Sequence, residues 1–474
     1  MKPTNLYRIA KYILFSVLIV FSMTACAASA AQQPAGGATV ASAPDAASSN
    51  ASVETATTQT PTQIPTEVPK PTPLPATATP VPEQLIITAQ GFGQSKRGDL
   101  GYGFMVENPN QAFCVYGAKY QITYYDADGT AIQTEDGSIS SFLPGQKLGV
   151  AGGAFLGTDV IVSKIDIQLI QGKAVHVTAF PAGAVFTPLT TEKISYHPAS
   201  DQYPIADVSG LVVNPYDMTL GYTRVSAIAY NAAGEIIGGG WDTLGFLTPL
   251  GTAGVKAQIS SSSEVAKVEL FPAVNSLYEL FNTRKLPEGA QAPTLIKQGY
   301  ARSDSSTVGW GLLIQNPNTK YVVIQNIEVT YFAEDGSVLG TESDQVTLFP
   351  NATTGVGGYS NIREDTDIAR ADFLINPEIF RESKELPLLT VSKYSLEDQG
   401  DWHKITGEVD NPNAIDVDRT TVFAVAYNAA GEIIGGGRGG TELVPANSKA
   451  NLEMTIFAPD TVTTVEFYIY YDVN

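Results

Sequence analysis

Histidine side chains can bind metals and transfer protons, and this chain of 474 residues has three histidines, His176, His197 and His403. They lie far apart, whereas a zinc site built from imidazoles needs ligands only a few residues apart. No Gly-x-Ser-x-Gly motif and no ordered set of serine, histidine and acid accompanies them. We therefore expect the histidines on the surface or at strand ends, and we predict neither a metal site nor catalytic residues.

Two carboxylates, Asp126 and Asp128, precede Gly129 and could begin a calcium-binding loop. Calcium needs several converging oxygen ligands, and the later ligands of an EF-hand loop are missing here. The matching stretch further along has only Glu334 and Asp335. A glycine turn is the favoured interpretation, and weak calcium binding stays open as the alternative.

Residues 435–440 read Gly-Gly-Gly-Arg-Gly-Gly and formally match the glycine pattern of dinucleotide sites. That pattern binds a pyrophosphate where it follows a strand and opens the helix of a βαβ unit. Nothing around residues 435–440 predicts such a unit. We expect a bulge or bend in a strand, and no cofactor.

Exposed aromatic rings beside polar side chains would be typical of carbohydrate recognition. The candidates are Trp241, Trp310, Trp402, Tyr468, Tyr470 and Tyr471. The core of a β-sandwich would take up most of these rings. Carbohydrate recognition therefore remains an alternative and not the main prediction.

The elements that hold these residues follow from an internal repeat. An Asn-Pro pair with one fixed downstream spacing occurs four times, beginning at Asn108, Asn214, Asn316 and Asn411. In every copy a glycine lies 19 or 20 positions after that proline, and a second proline lies 14 or 15 positions after the glycine. Repetition at a fixed spacing is the strongest organisational signal in a sequence. The chain therefore contains four copies of one module.

Each copy alternates apolar and polar residues with a period of two, as in Tyr120, Ile122 and Tyr124. This period indicates half-buried strands, and the Asn-Pro pairs and turn glycines separate them. We predict an all-β fold of four tandem immunoglobulin-like β-sandwiches with about seven strands each. The predicted modules are A1 (84–175), B1 (190–273), A2 (293–377) and B2 (388–474).

The modules resemble the FxLYD-type domains of exported bacterial proteins, in which a strand ends in a Tyr-Asp step before a glycine turn. The steps that carry the resemblance are Tyr125-Asp126, Tyr230-Asn231 and Tyr427-Asn428. The A2 module departs from the pattern after Tyr331. The resemblance implies an immunoglobulin-like fold and export, and it implies no catalytic residues.

The four copies are of two kinds. B1 and B2 share one decamer, at 231–240 and 428–437, whereas A1 and A2 share acidic turns. The strand before the turn is apolar on both faces in the B modules, which normally requires cover on both sides. We hypothesise that an A-B unit was duplicated and that each B module packs one sheet face on its neighbouring A module. This pair hypothesis requires Tyr230 and Tyr427 to be shielded from water.

Two connectors, 276–284 and 378–384, are predicted to be short helical turns that fix the angle between modules.

Of the two cysteines, Cys114 lies in an apolar stretch, and we expect a small buried hydrophobe rather than a reactive thiol.

The N-terminus carries export signals. Lys2, Arg8 and Lys11 flank an apolar run at 13–21 that is too short to span a bilayer of ~30 Å. Residues 23–26 resemble the bacterial lipobox, in which the cysteine becomes the first mature residue and carries a lipid. We predict a lipoprotein signal peptide over 1–25 and lipidation of Cys26. The alternative is a plain signal peptide, with Cys26 incidental.

Residues 26–83 are almost wholly Ala, Thr, Pro, Ser, Gln and Val, and they lack apolar periodicity. We predict a disordered linker.

The formal net charge is −20, and it becomes 25 − 48 = −23 without the three basic residues of the signal peptide. Phosphate backbones would repel so acidic a chain, and nucleic acid is therefore not an expected partner.

These observations predict an exported protein that is held to the outer face of a membrane by a lipid on Cys26. In a host with two membranes, the outer membrane or periplasm is the corresponding location. The expected role is non-enzymatic, in binding, adhesion or envelope structure, with an unknown protein or glycan as ligand. The alternative is carbohydrate or solute recognition for a transport or wall-degrading system, and an enzyme is the third hypothesis.

Overall fold

A computed structural model describes residues 81–201, 203–281, 285–363, 366–383 and 388–471. The predicted signal peptide, Cys26 and all of the linker before residue 81 lie outside these ranges. Within them the secondary structure is antiparallel β-strand, apart from one short 3-10 helix at Val177–Ala179. No helix in the described ranges has the length and apolar character needed to span a membrane. The all-β prediction is confirmed.

The A1 module buries its core between two three-stranded sheets. Its strands are β1 (Ile86–Gln94), β2 (Asp99–Glu107), β3 (Phe113–Tyr116), β4 (Lys119–Tyr125), β5 (Ala131–Ser138), β6 (Lys147–Phe155), β7 (Lys164–Ile170) and β8 (Lys173–His176). The sheet orders are β1-β2-β6 and β5-β4-β7, and β3 pairs with β8. The alternating residues Tyr120, Ile122 and Tyr124 point into the core and pack with Phe104 from the opposite sheet.

The A2 module repeats this arrangement without the β3–β8 pair. Its strands are β15 (Thr294–Arg302), β16 (Thr307–Gln315), β17 (Tyr321–Phe332), β18 (Val338–Leu348), β19 (Thr353–Asn361) and β20 (Arg370–Glu382). The sheet orders are β15-β16-β19 and β18-β17-β20. Trp310, Val329 and Tyr331 fill the core between the two sheets.

The B1 module is one continuous six-stranded sheet that folds over its own core. Its strands are β9 (Thr190–His197), β10 (Ala206–Val213), β11 (Thr223–Tyr230), β12 (Ile236–Leu244), β13 (Thr252–Ser261) and β14 (Lys267–Ala273). The order is β14-β11-β12-β13-β10-β9, and a short β12–β13 pairing at Gly238 and Gly239 joins the two halves. Val208 and Val225, from opposite halves, share one buried core.

The B2 module has the same topology, with the order β21-β22-β25-β24-β23-β26. Its strands are β21 (Thr390–Asp398), β22 (His403–Asn411), β23 (Val417–Tyr427), β24 (Ile433–Val444), β25 (Ser448–Phe457) and β26 (Thr464–Tyr471). In the described ranges B1, A2 and B2 thus have six strands each, rather than about seven as in an immunoglobulin-like sandwich.

One of the two predicted helical connectors is wrong. Residues 378–382 belong to β20, which pairs with β17 as far as Glu382 opposite Tyr321, and residue 384 lies outside the described ranges. Pro377 does not end β20, because β20 is an edge strand and its outer edge needs no N–H donor. The connector at 276–281 does form consecutive turns, with Glu279 N 3.1 Å from the Ser276 carbonyl oxygen.

The asparagine of each of the four repeated Asn-Pro pairs has a structural role beyond ending a strand. In B1 the Asn214 side-chain amide donates to the carbonyl oxygens of Met218 and Thr248, at 2.8 Å each, and its Oδ1 accepts from Tyr216 N at 3.0 Å. This buried side chain therefore ties its own loop to the segment that carries the second proline. The same two-way contact is made by Asn108, Asn316 and Asn411. We call it the asparagine clamp.

Removing the clamp should destabilise the protein. Asn214→Ala leaves two carbonyl groups and one N–H without their partner in a buried site, and we expect a loss of about 2–4 kcal/mol in the free energy of unfolding. Denaturant unfolding followed by tryptophan fluorescence measures it. The control is Asn361→Ala at an exposed position, which should change stability by less than about 0.5 kcal/mol. Equal losses in both variants would contradict the clamp.

Candidate functional site

The residues singled out for chemistry do not converge on one site. The Asp126 carboxylate accepts from the backbone N–H groups of Asp128 and Thr130, at 3.0 and 2.8 Å, so this stretch is the predicted turn. Cys114 is fully buried, and burial raises the pKa of its thiol to about 12, in agreement with a small core residue. The described ranges contain no cluster of three or more His, Cys, Asp or Glu side chains arranged to hold a metal.

The three histidines are indeed at strand ends. His176 ends β8 and His197 ends β9, where its Nδ1 is 2.9 Å from Asp207 Oδ1. His403 begins β22 and is buried, unlike a surface histidine, with Nε2 3.1 Å from the Ala458 carbonyl oxygen.

The aromatic candidates for sugar stacking are also dispersed. Trp310 is buried in the A2 core, and Trp402 is partly exposed in the loop before β22. Trp241 is 45% exposed, but the Arg224 guanidinium lies 4.3 Å from its ring centroid. These rings form no shared surface.

The pair hypothesis is confirmed. Tyr230 is partly buried and its hydroxyl lies 3.7 Å from the Met105 sulfur of A1, while Tyr427 is only 7% exposed. In each pair, one A-module sheet lies face to face with the middle of the B-module sheet. A small apolar cluster of Ile228, Ile236 and Ala151 spans the A1–B1 contact.

Glycines set the distance between the paired sheets. A Cβ added to Gly357 of A2 would overlap the Ala424 carbonyl oxygen of B2 and lie 2.9 Å from the Gly436 Cα. A Cβ on Gly436 would lie 2.7 Å from the Trp310 carbonyl oxygen. The two backbones are therefore in direct contact, with no room for a side chain between them.

The first pair uses the same device. A Cβ on Gly239 of B1 would come within 2.6 Å of the Tyr102 carbonyl oxygen of A1, and one on Gly101 would overlap the Gly239 backbone. The register of β24 shifts between Ile433 and Gly435, so the bulge expected in the glycine run of B2 is present at its start, and Gly436, one position later, allows the close approach of the sheets. We call these contacts the glycine interfaces.

Adding one methyl group at a glycine interface should force the paired sheets apart. Gly357→Ala places its Cβ against backbone atoms that cannot rotate away, and we expect a loss of about 3 kcal/mol or more in the free energy of unfolding. The control is Gly221→Ala, whose new Cβ would meet only the Glu279 carboxylate end, at 3.3 Å. Denaturant titration of both variants provides the test, and an unchanged Gly357→Ala midpoint would refute the direct backbone contact.

The contact between B1 and A2 differs in kind, because it buries polar and ionisable groups. Ser209 Oγ donates to the Val338 carbonyl oxygen at 2.6 Å. Glu328, which is 3% exposed, accepts from Gly245 N at 2.8 Å and from Ser343 Oγ at 2.6 Å. Burial raises the pKa of the Glu328 carboxyl to about 7, with the nearby Asp242 acting in the same direction.

Two more carboxyls lie on β18 beside Glu328. Burial raises the pKa of Glu342 to about 8, and the neighbouring Asp344 adds to the effect. Burial also raises the pKa values of Asp242 and Asp344, although Arg438 of B2, 3.5 Å from Asp344, opposes the shift in Asp344. We call Asp242, Glu328, Glu342 and Asp344 the acidic cluster.

A separate ion network lies on the same interface. The Asp207 carboxylate contacts His197 Nδ1 at 2.9 Å and Arg363 of A2 at 3.2 Å. Burial opposes ionisation of Asp207, but the His197 hydrogen bond and the charges of Lys256, His197 and Arg363 outweigh it and hold its pKa below the usual value.

The acidic cluster should make stability depend on pH. A carboxyl with a raised pKa keeps its proton more tightly in the folded state, so its contribution is complete below about pH 4.5 and is lost as the pH rises to about 8. For Glu328 alone the loss is on the order of 3 kcal/mol. We expect a higher melting temperature at pH 5 than at pH 8.5.

Glu328→Gln should reduce this pH dependence, because the amide has no proton to lose, whereas the exposed control Glu397→Gln should preserve it. Calorimetric melting of the three proteins at both pH values is the measurement. Identical pH profiles for wild type and Glu328→Gln would contradict the assignment.

A cleft of about 420 Å³ lies between A1 and B1, beside the first glycine interface. Two carboxylates, Asp99 and Glu264, and the Tyr196 phenol contribute to its lining. Its serines are Ser95, Ser260, Ser261 and Ser263. Pro198 and Pro204 belong to the apolar part of the wall. No described residue that lines the cleft is basic.

The second pair fills the matching space with larger side chains. In B1, Ser260 is the cross-strand partner of Gly239. At the corresponding place in B2, Phe457 is the cross-strand partner of Gly436. The Phe457 ring packs on Tyr359, with 4.3 Å between centroids. In B1, Ala206 is the cross-strand partner of Ile259. In B2 the corresponding partner of Ile456 is His403, which is buried. Small residues thus line the cleft in the first pair at positions where the second pair has large ones.

Comparisons with known proteins identify no family for this chain. No family model and no curated protein matches the chain. Among solved structures, native Escherichia coli alpha-2-macroglobulin is similar over 82% of this chain and 29% of that chain, at 10% identity and a TM-score of 0.13. The elastase-activated form is similar over 82% and 44%, at 9% identity and a TM-score of 0.12.

A calcium-binding mutant of Bacteroides uniformis beta-glucuronidase 2 is similar over 57% of this chain and 29% of that chain, at 10% identity and a TM-score of 0.10. The matches cover less than half of each of these longer chains. Similarity at such TM-scores carries no functional argument.

Proposed function

We propose that this protein is a lipid-anchored surface protein whose sandwich modules, of the FxLYD type, act without catalysis in binding, adhesion or envelope structure. The observation that carries the proposal is the way the modules are joined. Glycine interfaces fix A1 to B1 and A2 to B2, and the buried polar contact fixes B1 to A2. A fixed array presents its outer faces in constant positions, which suits a protein that meets partners away from the membrane.

The shifted carboxyl groups support a non-enzymatic role. A strongly perturbed pKa marks a candidate catalytic group when the group faces an open cleft. Here Glu328 is buried between modules and its oxygens are engaged by Gly245 and Ser343. The contact between B1 and A2 explains the raised pKa of Glu328, so no acid–base function is needed to account for it.

The N-terminal sequence supports the anchoring. The basic residues, short apolar run and lipobox-like segment that precede Cys26 favour export and lipidation, and the following Pro- and Thr-rich stretch favours a spacer. Cys26 is the proposed lipid site. The proposed location is the outer face of the cell membrane, or the outer membrane or periplasm of a host with two membranes.

Lipidation can be tested on the full chain in cells. Wild type should incorporate labelled palmitate, remain with the membrane fraction and be degraded by protease added to intact cells or, in a host with two membranes, to spheroplasts. Cys26→Ala should lose the label and be released, whereas the control Cys114→Ala should stay anchored. An unlabelled wild type, or a Cys26→Ala variant that stays with the membrane, would overturn the anchor.

Carbohydrate or solute recognition is favoured as a second candidate by one observation, the cleft between A1 and B1. Its volume falls in the range of small-molecule sites, roughly 300–1,000 Å³. The dispersed aromatic rings, on which the sequence-based version of this hypothesis depended, do not support it.

A further inference from the structure

We infer that the cleft between A1 and B1 binds a single sugar unit, neutral or bearing an amino group, and rejects anionic ligands. This inference rests on the proposed binding function and assigns a site and a ligand class to it. It depends on the chemistry of the lining residues and on the difference between the two A-B pairs.

The side chains on the polar part of the cleft favour a ligand rich in hydrogen-bond donors. Carboxylates such as Asp99 and Glu264 accept hydrogen bonds only, and the serine hydroxyls can accept as well as donate. Adjacent hydroxyl groups of a sugar, or an ammonium group, supply such donors. A ligand carboxylate or phosphate would face both acids. Arg97, whose Nε lies 3.6 Å from Asp99 Oδ2, offsets the charge of Asp99, so the rejection of anions rests on Glu264 and on the net charge of −20.

The rest of the wall suits the C–H face of a sugar ring. Pro198, Pro204 and Ile259 line the cleft, and apolar walls with a few placed polar groups are typical of small-molecule sites. A volume of about 420 Å³ accommodates one ring with its substituents but not an extended chain. This argues for one sugar unit rather than for a peptide strand.

The second pair shows how the same fold closes this space. At the matching positions it has Phe457, packed on Tyr359, and His403, bonded to the Ala458 carbonyl. Closing the space with core-like packing is therefore compatible with the fold. The first pair keeps Ser260 and Ala206 there, and the cleft is open.

The test is calorimetric titration of the full chain in detergent with glucose, N-acetylglucosamine, glucosamine, glucuronate and n-butylamine. The neutral and amino sugars should bind, and glucuronate should bind at least tenfold more weakly. Absence of binding by every sugar would overturn the inference, as would equal affinity for glucuronate. Binding of n-butylamine as tightly as glucosamine would show a site for simple amines and would overturn it as well.

Two blocking variants copy the second pair. Ser260→Phe should weaken sugar binding at least tenfold, whereas the exposed control Ser305→Phe in the A2 turn should leave the affinity unchanged. Ala206→His provides an independent block if the first variant does not fold. Wild-type affinity in a folded blocking variant would place the sugar elsewhere and overturn the assignment.

The amino-sugar preference has its own variant. Glu264→Gln removes one lining carboxylate, so the affinity for glucosamine relative to glucose should fall several-fold. An unchanged ratio would exclude Glu264 from contact with the ligand. Failure of these titrations with an intact surface anchor would overturn only the sugar site, whereas sugar binding by a protein that is not anchored would overturn only the proposed location.

Discussion

Direct backbone contact between paired sheets is the constraint on which the rest of this structure depends. Two β-sheets normally pack about 10 Å apart because side chains fill the gap. At the glycine interfaces the strands touch without side chains, as Gly357 and Gly436 do. The A and B modules of a pair must therefore have surfaces that fit each other closely. This explains why large residues face each module's own core while glycine alternates with them toward the partner, as in Gly101, Tyr102, Gly103 and Phe104.

The two kinds of contact give the array an internal hierarchy. The glycine interfaces are dense and bring backbone and apolar groups together, and the charged group that crosses A1–B1, Arg224, donates to the Ala151 carbonyl oxygen and keeps its charge at any physiological pH. The B1–A2 contact instead buries acids such as Glu328, whose charge depends on pH near neutrality. The A-B pairs are thus the stiff units, and the contact between the two pairs is the one whose strength changes with pH.

The outward faces of A1 and B2 that correspond to the two faces of the B1–A2 contact carry polar side chains. On A1 the positions that match Glu328 and Thr330 are Gln121 and Thr123, which make exposed hydrogen bonds within their own sheet. On B2 the face that matches the A2-binding face of B1 carries exposed ion pairs such as Lys404–Glu453. These two faces therefore differ from the pair of faces that meet in the B1–A2 contact, where polar groups are buried.

Much of the fold was predictable from the sequence because its signals are local. The alternation at Tyr120 to Tyr124 predicted a strand, the Asp126 turn was recognised, and the double apolar faces of the B modules predicted the pairs. The asparagine clamp was missed because the burial of Asn214 depends on a segment 34 residues away. The extension of β20 past Pro377 was missed because an edge position is a property of the assembled sheet.

The candidate site was less predictable. Glu328 reads as an exposed residue in an alternating strand, and only the approach of B1 buries it. The cleft arises from a difference between copies, Ser260 and Ala206 against Phe457 and His403, which aligning the B modules over their whole length would have revealed.

Distance measurement between spin labels on A1 and B1 tests the central claim most directly. Labels at Ala127→Cys and Ala232→Cys would lie on exposed turns of the two modules. If the glycine interface fixes the pair, pulsed electron paramagnetic resonance will give one narrow distance distribution, unchanged between pH 5 and pH 8.5. A broad or multiple distribution would mean that the modules move independently, and it would contradict this account.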